Sequence, residues 1–109
     1  MADDIKVLGQ LACAATTEET VYTVPNLAQT TISLITVCNR SGSAVTFRLY
    51  VAVAGASTDN KQYLYYDYSI AANDTLRVGC GVTLNQSDEV QFYASAASLS
   101  VNIFGVETT

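Results

Sequence analysis

The chain has no histidine, no tryptophan and a single proline, and among 109 residues it carries only five basic side chains. Each shortage excludes something. Without histidine there is no Ser–His–Asp arrangement, no imidazole base for a cysteine nucleophile and no histidine ligand for zinc. Cys13, Cys38 and Cys80 lack the CxxC spacing of a metal knuckle, and no D-x-D-x-D run suggests a calcium loop. No glycine-rich loop opens a helix to cradle phosphate. The reading is a non-enzymatic protein with no cofactor and no metal. Lys6, Arg40, Arg48, Lys61 and Arg77 are scattered singly and the net charge is −5, so nucleic acid, whose binding needs clustered cations, is not a partner. No apolar run approaches the ~20 residues that cross a bilayer. The start, Met1-Ala2-Asp3-Asp4, is acidic and lacks the basic and apolar regions of a secretion signal, which predicts a product left in the cytosol.

Charge is scarce as well. Charged residues make up 14% of the chain, against about 25% in ordinary soluble domains. Thr, Ser, Asn and Gln keep some of the surface wet, but so few charges predict that much of it is covered by partners in an assembly.

What is present is alternation. Val45, Phe47, Leu49, Val51 and Val53 share one phase, while Ala44, Thr46, Arg48, Tyr50 and Ala52 share the other. Side chains leave a strand on alternating faces, so a period of two marks a strand with one face in a core. Strands are predicted near 31–39, 44–54, 62–70 and 89–95, with further ones at 5–13, 20–24, 75–84 and 98–106. In the first strand Ile5, Val7, Leu11 and Cys13 fall in phase. The run 31–39 is apolar in both phases, which predicts a central strand covered on both faces. Pro25-Asn26, residues 39–43, 55–60, 71–74 and 85–88 supply the turns. About eight strands at this spacing predict one all-β domain over residues 1–109, an antiparallel two-sheet sandwich of jelly-roll or Greek-key order. Phe47, Leu49, Val51, Leu64, Val90, Phe92, Leu99 and Val101 are its predicted core.

Candidate site residues follow from phase. Four of the seven tyrosines fall in 63–68. Tyr66 and Tyr68 share the core phase with Leu64, whereas Tyr63 and Tyr65 take the opposite phase and are the interface candidates. Asp67 is the one acidic residue in mid-strand, fit for an ion pair or for sugar hydroxyls. Cys13, at the end of its strand before Ala14 and Ala15, is the predicted accessible thiol and the candidate for an intermolecular disulfide. Cys38 and Cys80 are predicted to be shielded.

Several ordered stretches carry a resemblance: Lys6-Val7-Leu8-Gly9-Gln10, Tyr22-Thr23-Val24-Pro25, Val37-Cys38-Asn39-Arg40, Ala72-Asn73-Asp74-Thr75, Phe92-Tyr93-Ala94-Ser95 and Phe104-Gly105-Val106-Glu107-Thr108. Together they resemble a family of small β-rich virion proteins of tailed bacteriophages. The resemblance implies a structural module without activity, present in several copies in the virion and contacting itself and other virion proteins. It implies a place near the tail fibre, tailspike or baseplate, or, as an alternative, a capsid decoration (cement) protein. No site residue carries over from it. An alternative from another class is a carbohydrate-binding module that uses the tyrosines and Asp67, with host glycans as ligands; the lack of tryptophan counts against it.

Overall fold

The computed structural model describes residues 2–79 and 81–109. Nine strands are described: β1 Asp3–Ala12, β2 Glu19–Thr23, β3 Gln29–Asn39, β4 Val45–Ala52, β5 Tyr63–Ile70, β6 Thr75–Val78, β7 Val82–Leu84, β8 Glu89–Ala94 and β9 Leu99–Thr108. The first sheet runs β1-β9-β3-β6, with β7 also paired to β3, and the second runs β2-β8-β4-β5. All the ladders between these strands are antiparallel. With β6 and β7 counted as one interrupted strand, this is jelly-roll order, two interlocked Greek keys.

The order has a simple origin. Asp3 pairs with Thr108, Glu19 with Phe92, Cys38 with Thr75 and Val45 with Ile70. The midpoint of every one of these pairs falls within the connection 53–62. The chain is therefore one long hairpin doubled about that connection and then rolled up, which adds the β3·β9 and β4·β8 ladders. The connection itself is two single turns of 3-10 helix, Val53–Gly55 and Asn60–Gln62; the second is closed by a reciprocal Asp59–Gln62 capping box.

Between the sheets lies one apolar core. Phe47, Leu49, Phe92, Leu99, Val101 and Ile103 are fully buried in it. Of the predicted core, Val51 is only partly buried and Leu64, 44% exposed, lies outside. Bulges account for the departures. In β5 the register slips twice, between Tyr63 and Tyr65 and between Tyr65 and Tyr68, so strict alternation fails. In β3 a slip at Ser33 puts Ile32 inside, Leu34 half-exposed and Ile35 inside again. The two apolar phases of 31–39 thus reflect one buried face whose phase jumps, rather than burial on both faces. In β1 an extra residue, Leu8, has the same effect, so Ile5 and Val7 point outward at 83% and 48% exposure.

One end of the interior is polar. Glu107 is buried, accepts a hydrogen bond from Tyr22 Oη and pairs with Lys6 Nζ at 2.7 Å; Tyr22 Oη also shares a hydrogen bond of 2.7 Å with Thr30 Oγ1. Burial alone would raise the Glu107 carboxyl, but the hydrogen bonds from Lys6 and Tyr22 and the Lys6 charge prevail and hold it below its ordinary 4.5. Tyr22 is pushed up to about 12 by burial and by the bond to Glu107. A carboxylate depressed in the folded state stabilises the fold above its ordinary pKa and loses that contribution as pH falls through the lowered value. Glu107 therefore makes the protein acid-sensitive below about pH 4.5. The expected result is a melting temperature that drops on acidification, with a shallower drop in Glu107→Gln, measured by circular dichroism across pH 6 to 2.5, roughly the carboxylate range.

Candidate functional site

The outer face of the second sheet carries a continuous row of rings. On β4 and β8, Arg48 stands directly opposite Tyr93, both pointing away from the core because their neighbours Phe47, Leu49, Phe92 and Ala94 point into it. The Arg48 guanidinium lies 4.3 Å from the Tyr66 ring centroid and 4.9 Å from that of Tyr93, a cation held between two aromatic faces. Tyr66 meets Tyr63 edge-on at 4.8 Å, and Tyr63 leans on Tyr50 at 5.1 Å. Tyr50 is fully buried, and burial pushes its hydroxyl up to about 12.

The bulge at Asp67 builds this row. Asp67 adopts φ 49°, a left-handed conformation that aspartate tolerates better than most residues. The turn of backbone presents its carboxylate to Arg48 as a fork, Nε to Oδ1 at 2.7 Å and Nη2 to Oδ2 at 3.4 Å. Hydrogen bonding to Asp67 raises the guanidinium above its ordinary value against the opposing desolvation, and the Asp67 charge adds to it. Arg48 is thus a fixed, charge-matched plate rather than a mobile cation. Beside it, Asn60, Tyr63 and Tyr66 line an open dent of about 280 Å³.

Of the predicted interface residues, Tyr63 and Asp67 join this row. Tyr65 does not. It turns inward, 5.9 Å from the Phe47 ring and edge-on to Tyr68 at 5.1 Å. Its place outside is taken by Tyr66, 57% exposed. The Asp67 bulge shifts the phase by one residue, and nothing in the alternation of 63–68 marks that break. Arg48 and Tyr93 escaped the sequence reading, although both occupy outward positions between two core residues.

Cys13 is a second correction. It is 4% exposed, its thiol donates to the Ala96 carbonyl at 3.3 Å, and its backbone N–H is bound to Leu99. The chain crosses here from one sheet to the other, with Ala15 bridging to Ala94, and Cys13 turns inward while Ala12, Ala14 and Ala15 stay exposed. Burial raises the thiol above its ordinary 9.0. Cys38, expected to be shielded, faces outward between Thr75 and Ser100 and is half-buried. Cys13 and Cys38 are both free; Cys80 lies outside the described residues. Brief alkylation of the native protein should therefore modify Cys38 well before Cys13, with Cys13 labelled only on unfolding, as read by peptide mass spectrometry.

No protein-family model matches the chain, and no curated protein sequence is significantly similar to it.

Proposed function

We propose that this chain is a non-enzymatic structural module of a tailed-phage virion, present in several copies at the tail fibre, tailspike or baseplate. The ordered segments that resemble small virion proteins support the assignment, as does a jelly roll, an architecture that viral capsid domains use. The observation that carries it is the row Tyr63–Tyr66–Arg48–Tyr93. Tyrosine and arginine are the residues that concentrate binding energy at protein interfaces, and a rigid row loses little entropy on contact. Its one charge is already matched by Asp67, so the row is suited to packing against a partner surface.

The test is the purified particle. Mass spectrometry should find the protein in it, electron cryomicroscopy should place it, and Tyr66→Ala should reduce its incorporation while the isolated protein keeps its melting temperature. Density on the capsid would favour the decoration role. Absence from the particle would overturn the proposal. The dent beside Tyr63 and Tyr66 favours one second reading, a sugar-binding module, since jelly rolls also serve as lectins. Asp67 weakens it, because Arg48 occupies both carboxylate oxygens. A glycan array on the wild type and Tyr63→Ala decides between the two.

A further inference from the structure

Four strand edges border the two sheets: β1 and β6/β7 on the first, β2 and β5 on the second. An open edge is a row of unpaired backbone groups that invites another strand unless something interrupts it. All four are interrupted, β1 by the Leu8 bulge. β2 slips register between Thr20 and Tyr22, β5 slips twice, and β6 and β7 are separate short strands. β1 nevertheless keeps the longest unbroken register of the described edges, Asp3 to Val7, and its outward side chains there include Ile5 and Val7.

The hydrogen-bond phase of that edge is fixed. Ala2 and Thr109 exchange both backbone bonds, each at 2.9 Å, so Asp4 and Lys6 also bond toward β9. Asp3, Ile5 and Val7 therefore aim their N–H and C=O groups away from the sheet. We infer that β1 is a self-pairing edge, joining a second copy of this chain antiparallel about a two-fold axis through Ile5.

Charge selects the register. A two-fold antiparallel pair must set one residue opposite itself. Centring on Asp3, Asp4 or Lys6 opposes like charges, and centring on Val7 runs into the Leu8 bulge. Centring on Ile5 sets Asp4 opposite Lys6 of the second copy, twice, at the positions where cross-strand side chains approach most closely. It also sets the two Ile5 side chains together and joins the outer apolar rows Ile5–Val106 and Val7–Phe104 across the axis. The two first sheets become one continuous sheet. The inference deepens the structural-module reading by naming how copies meet.

The full chain tests it. Sedimentation velocity should show a wild-type dimer whose dissociation constant rises about tenfold or more in Ile5→Pro, through loss of the two central hydrogen bonds. The monomer's melting curve should be unchanged, because proline removes an N–H that faces solvent there. Should proline lower the melting temperature, Asp4→Lys, which opposes Lys6 of the second copy, weakens the dimer instead. Ile5→Cys should give a covalent dimer with Cu(II)–phenanthroline as the oxidant, since directly opposed residues sit about 5.5 Å apart at Cα. Wild type, with the same native cysteines, and Val7→Cys should not. A monomer up to about 100 µM, or cross-linking at Val7 but not Ile5, would overturn the inference. So would a dimer indifferent to both Ile5→Pro and Asp4→Lys, while leaving the virion assignment to be decided on the particle.

Discussion

Phe92→Ala is expected to cost about 3–5 kcal/mol of stability, the range for emptying a fully buried aromatic site. Phe92 has no exposed surface, lies near the middle of β8 opposite Leu49, and stacks on Phe47 with ring centroids 5.4 Å apart. Both partners belong to the same sheet, so alanine leaves a void that the facing sheet must close, and two rigid sheets close poorly over a missing ring. Urea unfolding at neutral pH measures the loss. Leu64→Ala is the matched control. Leu64 sits on the β5 bulge with 44% of its surface exposed, and its truncation should cost below about 1 kcal/mol. Similar losses at the two positions would mean that the phase of β5 is wrong.

Gly105→Ala should be at least as damaging, for the opposite reason. β9 is sandwiched between β1 and β3, and both neighbours carry their extra residue, Leu8 and Ser33, alongside the same short stretch of β9. The two bulges pinch inward there. A Cβ on Gly105 would stand 2.2 Å from the Thr31 carbonyl oxygen and 3.0 Å from both Ile32 Cα and Leu8 Cδ1. Two of these are backbone atoms of a central strand and cannot swing away. Ordinary overpacking costs about 1–3 kcal/mol, and a clash with ladder backbone belongs at or beyond the top of that range. The expected result is a protein that accumulates unfolded or melts far below the wild type. Gly42→Ala, with nothing within 4 Å of its added Cβ, should melt as the wild type does.

The two variants mark what the sequence could and could not disclose. Wherever strands alternate without interruption, as in β8 and β9, phase alone identifies the buried set: Val90, Phe92 and Ala94, then Leu99, Val101 and Ile103. The all-β class and the sandwich follow from that pattern. What alternation cannot locate is a bulge, because one inserted residue looks like an ordinary member of the run. The expectations for Ile5, Leu64 and Tyr65 went astray for this reason, each lying beyond or beside a slip in register. The outer row was half legible: Tyr63 and Asp67 by phase and placement, but not Tyr66, whose orientation depends on the Asp67 backbone. Arg48 and Tyr93, 45 positions apart in the chain, come together only across the β4·β8 ladder, and a single sequence carries no local mark of that contact. Cys13 was misjudged because its cover comes from Ala96 and Leu99 at the far end of the chain.

The doubling of the chain about 53–62 also sets the order in which it can fold. The β4·β5 ladder closes over the shortest connection, whereas β1·β9 must bring Asp3 to Thr108 across nearly the whole chain. Loop-closure entropy rises along that series, so the hairpin closes from its bend outward and its open end is secured last. Ala2 and Thr109 finish side by side, within reach of a short peptide linker. A circular permutant joined there and opened in the 53–62 connection would keep every ladder yet reverse the series. The pairing that closes last in the natural chain would become the local hairpin, and β4·β5 would become the one that waits.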